Sequence, residues 1–62
     1  MFENILADIR RIELYRHCYN ESTGQYCVKA VAVDYDGEQL VTVIGADVDK
    51  LKAEWNEYLE SK

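Results

Sequence analysis

The sequence predicts one small α+β domain with the order helix, strand, strand, strand, helix (α-β-β-β-α), in which the strands form an antiparallel meander. Two observations carry this prediction. Two β-rich runs flank Asp36-Gly37, a dipeptide typical of tight hairpins, and an apolar face with helical spacing follows in residues 47–60. A length of 62 residues suits a single domain, so we expect residues 1–62 to form one compact unit.

The first segment has a helical pattern that stops early. Apolar side chains recur there at the spacing of one helix face: Phe2, Ile5, Leu6, Ile9 and Ile12. Continuing the pattern would place Glu13 and Arg16 inside the apolar stripe, so we expect the helix to end near Arg10 or Arg11. The alternative is one longer helix that reaches Tyr19.

Strand signals fill the middle of the chain. Residues 12–19 alternate between two faces, one carrying Ile12, Leu14 and Cys18 and the other Tyr15, His17 and Tyr19. Residues 20–24 have the composition of a turn. Residues 25–34 and 39–45 are rich in β-forming side chains, and the turn at residues 35–38 joins them.

The last element is predicted to be an amphipathic helix. Asp47 suits its N-cap, where a carboxylate accepts hydrogen bonds from free backbone N–H groups. Five apolar residues fall on one narrow face: Val48, Leu51, Trp55, Tyr58 and Leu59. We expect Trp55 to make the largest single contribution to the core.

The middle strand is apolar on both faces. Val28, Ala30 and Ala32 lie on one face, and Val31 and Val33 lie on the other. The small alanines allow a helix to approach closely on their side. One face of an antiparallel sheet is usually polar, so either the helices cover both faces or the second face meets a partner. The face with Val31 and Val33 is therefore our candidate for self-association or target binding.

The two cysteines and the hydropathy pattern indicate where the protein works. Cys18 and Cys27 are too few for a disulfide framework, so we expect reduced, half-buried thiols on neighbouring strands. Reduced thiols favour the cytoplasm. No apolar run approaches the roughly 18 residues of a membrane span, and the first residues lack the pattern of a signal peptide.

The sequence offers no pattern typical of catalysis, of a metal site or of a cofactor. His17 is the only histidine, and successive strand residues point to opposite faces, so it cannot readily form a nucleophile–base pair with Cys18. A zinc site that adds Cys27 fails for the same reason. The acidic turn at residues 34–38 lacks the further ligands and the distant glutamate of a calcium loop. We therefore expect a non-enzymatic protein without a cofactor.

The net charge of −5 is concentrated in the middle of the chain, because residues 21–47 hold five acidic side chains and one lysine. Direct nucleic-acid binding is disfavoured, since it depends on Lys and Arg contacts to phosphates. A protein with a basic surface is the better-matched partner. Tyrosine is enriched in binding surfaces. The expected contact residues therefore combine the acidic turn with two tyrosines: Asp34, Tyr35, Asp36, Gly37, Glu38, Tyr19 and Tyr26.

The order of these features resembles a known family. Residues 4–10 (Asn-Ile-Leu-Ala-Asp-Ile-Arg) precede the meander, the meander carries an Asp-Gly-Glu hairpin at residues 36–38, and an amphipathic helix follows. This layout resembles the small phage-encoded anti-CRISPR proteins that inhibit the type II Cas nuclease. The resemblance implies that acidic side chains imitate DNA in the arginine-lined site that reads the protospacer-adjacent motif. Asp36, Gly37 and Glu38 would make that contact, with Asp34 in support.

A second hypothesis starts from size. A domain of 62 residues buries only about 60% of the surface that its unfolded chain exposes, so it needs additional stabilisation. A homodimer would supply that stabilisation and would also cover the second apolar face of the middle strand. The chain would then be a homodimeric accessory or regulatory protein, such as an antitoxin-like partner or an assembly subunit. The sequence leaves both hypotheses open.

Overall fold

The structure, a computed structural model, describes residues 1–61. Its elements are a short 3-10 turn (Leu6–Asp8), strand β1 (Arg11–Asn20), strand β2 (Gln25–Val33), strand β3 (Gln39–Ile44) and helix α1 (Ala46–Glu60). The strands form one antiparallel sheet in the order β1-β2-β3, and α1 lies on one face of it. The predicted α+β class and the meander are therefore confirmed. Among the described residues, no helix is long and apolar enough to cross a membrane.

The predicted first helix is wrong. Residues 2–5 and Ile9 lie outside any helix, and only Leu6–Asp8 form a 3-10 turn, after which Ile9 is already extended with ψ 122°. A short isolated helix is marginal in water, and β-branched isoleucine with Asn4 and Asp8 lowers helix propensity further. The apolar spacing still has a use, because Phe2 and Ile9 are buried in the core.

The core lies between the sheet and α1. Ala30 and Ala32 of β2 are fully buried, and their short side chains let the helix approach the sheet, as the sequence indicates. The buried cluster consists of Phe2, Ile9, Ala30, Ala32, Val48 and Leu51. Trp55 packs against this cluster from its margin, and the Phe2 backbone N–H donates to Glu54 Oε1 at 2.9 Å. The residues before β1 are thereby attached to the helix.

The second face of the middle strand is covered within the chain. Val31 and Val33 are 3% and 2% exposed, although they are not part of the cluster beneath α1. Their cross-strand neighbours are longer side chains, with Glu13 opposite Val31 and Arg11 opposite Val33. Such neighbours lie close enough to shield a valine, so no second helix is needed. Because both valines are buried, they offer no accessible surface for the self-association that the sequence led us to expect.

A β-bulge at His17 changes which side chains share a face. The register shifts between Arg16, which pairs with Val28, and Cys18, which pairs with Cys27. Because one extra residue is inserted, Tyr19 returns to the face of Leu14 and Cys18 leaves it. The faces predicted for Cys18 and Tyr19 are therefore wrong.

Helix α1 begins at Ala46, two residues earlier than an N-cap at Asp47 allows. Its N-cap position is Gly45, with φ 66° and ψ −135°, a backbone conformation essentially restricted to glycine. Asp47 makes no capping hydrogen bond and instead lies in the first turn with Asp49. Both carboxylates still complement the helix dipole, but the sharp change of direction after β3 depends on the glycine.

Two candidate binding surfaces at opposite ends of the sheet

The acidic turn, residues 34–38, connects β2 to β3 and is fixed by its own first residue. One carboxylate oxygen of Asp34, Oδ1, accepts the backbone N–H of Asp36 at 2.9 Å and that of Glu38 at 2.8 Å. Two backbone hydrogen bonds between Asp34 and its neighbours close the same turn. Gly37 has φ 84°, which glycine adopts without strain. Tyr35, Asp36 and Glu38 are exposed, so a well-held backbone presents two carboxylates and one ring.

The sheet beside this turn carries a hydrogen-bonded trio on the face away from α1. Arg11 Nη2 lies 2.7 Å from Glu13 Oε2, and the Tyr15 hydroxyl donates to Glu13 Oε1 at 2.5 Å. The hydrogen bond from Tyr15, and then that from Arg11, lowers the pKa of the Glu13 carboxyl. The same contact with Glu13 raises the pKa of the Tyr15 hydroxyl. The positive charge of Arg11 is thus already compensated at this end.

The opposite end of the sheet is an apolar surface that extends beyond α1. We call it the hairpin face, and it consists of Leu14, Arg16, Tyr19, Tyr26 and Val28. Its apolar members continue the inner face of the sheet, yet they are 39–53% exposed because the helix does not cover them. The rings of Tyr19 and Tyr26 meet edge to face with centroids 5.0 Å apart, and the Arg16 guanidinium lies 4.9 Å from the Tyr26 ring centre.

A cleft of about 150 Å³ marks the step between the helix and the hairpin face. Its lining residues come from β1 and from α1: Ile12, Leu14, Lys52, Trp55 and Asn56. The Trp55 Nε1–H is buried and finds no hydrogen-bond acceptor among the described residues. A buried donor without a partner costs on the order of 1–3 kcal/mol, so Trp55 supports the core through its ring area alone.

The residues predicted as one contact set lie at two separate ends. The acidic turn follows the last residue of β2, whereas Tyr26 lies seven residues earlier on that strand, which is about 23 Å. The whole molecule measures 40 × 23 × 15 Å. Tyr19 and Tyr26 therefore belong with Leu14 and Val28, which the sequence did not single out because helices were expected to cover that face.

The cysteines are joined near the tip of the β1–β2 hairpin, on the side of the sheet opposite the hairpin face. The turn of residues 21–24 places Cys18 opposite Cys27 with a Cα–Cα distance of 5.3 Å, and the structure links them as a disulfide. The expectation of two reduced thiols is therefore wrong in this structure, because the register brings the pair into bonding distance. In the described part of the chain no group of three His, Cys, Asp or Glu side chains could hold a metal ion.

Comparison of the chain with protein-family models, with curated proteins and with solved structures found no match.

Proposed function

We propose that this chain is a non-enzymatic protein-binding inhibitor that contacts the basic surface of a nucleic-acid-handling protein through its acidic turn. The observation that carries the proposal is the role of Asp34. Its side chain holds the turn through two backbone hydrogen bonds, while Asp36 and Glu38 remain exposed. One acidic residue thus has a structural role, and the other two are available for a partner.

The acidic turn is suited to binding because its backbone is held in place before a partner arrives. A flexible acidic loop would lose conformational freedom on binding, and that loss weakens affinity. Here the backbone is already ordered, so the carboxylates of Asp36 and Glu38 can meet guanidinium groups with little reorganisation. Arginine pairs strongly with carboxylates because its planar fork donates two parallel hydrogen bonds. Tyr35, which is 68% exposed, adds a ring that can stack on an arginine or fill a pocket.

The charge of the whole chain supports the same partner class. A net charge of −5 on 62 residues attracts basic surfaces over a distance of about a Debye length and disfavours nucleic acid itself. The layout resembles phage-encoded anti-CRISPR proteins, so the proposed target is the site of a type II Cas nuclease that reads the protospacer-adjacent motif. The acidic turn would occupy that site as a mimic of DNA phosphates.

This target places the proposed site of action in the cytoplasm of a bacterial host. Thiol reductants there keep most cysteines reduced, so Cys18 and Cys27 would be a dithiol in that setting. Their separation from the acidic turn along β2 means that target binding should not depend on the disulfide. Inhibition is therefore expected to be the same with and without a thiol reductant.

DNA cleavage by a guide-loaded type II Cas nuclease tests the proposal directly. The double variant Asp36→Asn with Glu38→Gln keeps the size of both side chains and removes two charges from the turn. We expect its inhibition constant to rise at least about 100-fold, since each truncated charge pair in an interface costs roughly 1.4 kcal/mol or more. Inhibition by the unchanged protein is expected to weaken as the salt concentration is raised from about 0.05 M to about 0.3 M.

The matched control is Asp49→Asn with Glu57→Gln, which changes the net charge by the same amount on the exposed side of α1. It should inhibit within about threefold of the unchanged chain, because distant surface charges are screened. Equal losses in the two double variants would show that only the net charge matters. No inhibition by the unchanged chain at micromolar concentration would exclude this target.

A further inference from the structure

We infer that the hairpin face is a self-association surface, on which a second copy of this chain packs its own hairpin face. The acidic turn at the other end takes no part in this contact. The inference therefore goes beyond the proposed function and stands or falls separately from it.

The chain exposes more surface than a compact monomer of its mass. A compact monomer of 7.2 kDa is expected to expose about 4,100 Å², whereas this chain exposes 4593 Å². The radius of gyration is 12.6 Å, against about 10.6 Å for a compact domain of this length. The elongation follows from the β1–β2 hairpin, which extends past α1. The excess of roughly 500 Å² is more than half of the ~800 Å² that one partner contributes to a typical interface.

The surface of the projecting hairpin is apolar. Leu14 and Val28 extend the stripe formed by the partly buried Ile12 and the fully buried Ala30. The two tyrosine rings complete an apolar area without acidic side chains. An apolar stripe that is covered by α1 over part of its length and exposed over the rest is the kind of patch that marks an interface. A second hairpin can supply the missing layer, because two apolar sheet faces pack well at about 10 Å.

Charge places a contact between two copies at this end of the chain. Arg16 and Lys29 against Glu21 give residues 14–29 a net charge of +1, so the remaining residues carry −6. Two acidic copies therefore repel each other least when they meet hairpin to hairpin. In that arrangement the Arg16 guanidinium of one copy can also stack on a tyrosine ring of the other, which is a favourable cation–π contact.

The step beside the hairpin face fits a two-fold arrangement. The cleft lined by Leu14, Lys52 and Trp55 lies at the base of the projecting hairpin, and the tyrosines lie towards its tip. When two hairpin faces pack in antiparallel orientation, the tip of each copy reaches the cleft of the other. Such an interface is isologous, so it closes as a dimer and does not propagate.

Sedimentation velocity over a concentration series tests the inference. We expect a monomer–dimer equilibrium with a dissociation constant on the order of tens of micromolar, because the interface is smaller than a standard one. Added salt should strengthen the dimer, since it screens the repulsion between two copies that each carry −5. A chain that remains monomeric up to about 1 mM would overturn the inference.

Leu14 and Ile44 provide a matched pair of variants, because both are aliphatic strand residues with 51% exposure. Leu14 belongs to the hairpin face, whereas Ile44 pairs with Lys29 on the opposite face. Leu14→Lys should raise the dimer dissociation constant at least about tenfold by burying an unpaired charge, and Ile44→Lys should change it less than about twofold. Equal effects of the two variants would contradict the assignment of the face.

A second pair guards against a folding defect in Leu14→Lys. Tyr19→Lys lies within the hairpin face, and Tyr35→Lys introduces the same change at the acidic turn, with circular dichroism melting as the check on folding. The first variant is expected to weaken the dimer and the second to leave it intact. If the chain is monomeric and its hairpin-face variants weaken nuclease inhibition, the hairpin face binds the target instead, and the inference is wrong.

Discussion

At the residue scale, the acidic side chains form two groups: those that accept hydrogen bonds within the chain and those that are exposed for a partner. Asp34, Glu13 and Glu54 accept hydrogen bonds within the chain. The donors are backbone N–H groups of the turn for Asp34, side chains on the sheet face away from α1 for Glu13, and the Phe2 backbone N–H for Glu54. Asp36 and Glu38 are exposed, and the turn's geometry uses only their backbone groups. Substitution of the first group should therefore affect folding, and substitution of the second should affect binding.

The contact between Tyr15 and Glu13 gives a pH-dependent prediction. Because the folded-state pKa of Glu13 is lowered, its contribution to stability is present above the ordinary value of 4.5 and is lost as pH falls through the lower folded value. Tyr15→Phe removes the largest cause, so the pKa of Glu13 should rise towards 4.5. The stability difference between Tyr15→Phe and the unchanged chain should be largest at neutral pH and should shrink at acidic pH.

NMR titration of the glutamate carboxyl carbons measures this shift directly. Tyr35→Phe is the control, since Tyr35 lies at the acidic turn, whereas the side chains that donate hydrogen bonds to Glu13 are Arg11 and Tyr15. A Glu13 pKa that is identical in Tyr15→Phe and in the unchanged chain would show that the hydrogen bond does not form in solution.

At the element scale, the β1–β2 hairpin carries most of the unusual features of this fold. Its bulge redirects Tyr19, its tip holds the Cys18–Cys27 disulfide, and its inner face continues beyond the helix. The edge of β1 carries the bulge and several charged residues, which protect a strand edge from pairing with other chains. Association through the hairpin face is for that reason favoured over association through the strand edge.

Removal of the disulfide is expected to destabilise the chain without changing its fold. The bond joins residues nine apart in sequence, and closure of so short a loop is worth about 2–3 kcal/mol of unfolding free energy. Cys18→Ser with Cys27→Ser should therefore lower the free energy measured by urea unfolding by about that amount. The single variant Cys18→Ser should lose as much, since one cysteine cannot form the bond. An unchanged unfolding midpoint would mean that the disulfide does not form in solution.

The strands and the last helix could be predicted from the sequence because their signals are local. Each signal depends on residues only a few positions apart. β-branched residues indicate strands, Asp36-Gly37 indicates a turn, and the spacing of Val48 and Leu51 indicates a helix. The 3-10 turn could not, because apolar spacing does not distinguish a helix from an irregular segment that buries the same residues. The bulge at His17 escaped prediction for a similar reason, since it depends on pairing with β2.

The candidate site was predictable in part. The acidic turn follows from composition, but the role of Asp34 in holding it requires the hydrogen bonds of the folded turn. The hairpin face was missed because its exposure depends on where α1 lies across the sheet. The burial of Val31 likewise depends on cross-strand neighbours, which a single strand read by itself does not reveal.

At the scale of the whole molecule, the chain has two ends with different chemistry. One end presents an ordered acidic turn, and the other presents an apolar hairpin face near electrical neutrality. Salt should therefore act in opposite directions, weakening the contact with a basic target and strengthening the contact between copies. A dimer formed through the hairpin faces would leave both acidic turns accessible at its outer ends.

Amide chemical-shift mapping of the ¹⁵N-labelled chain with the guide-loaded nuclease tests the central claim most directly. We expect the target to perturb the amides of the acidic turn, residues 34–38, and to leave those of the hairpin tip, residues 18–27, unchanged. Perturbations centred on residues 18–27, with residues 34–38 unaffected, would contradict it.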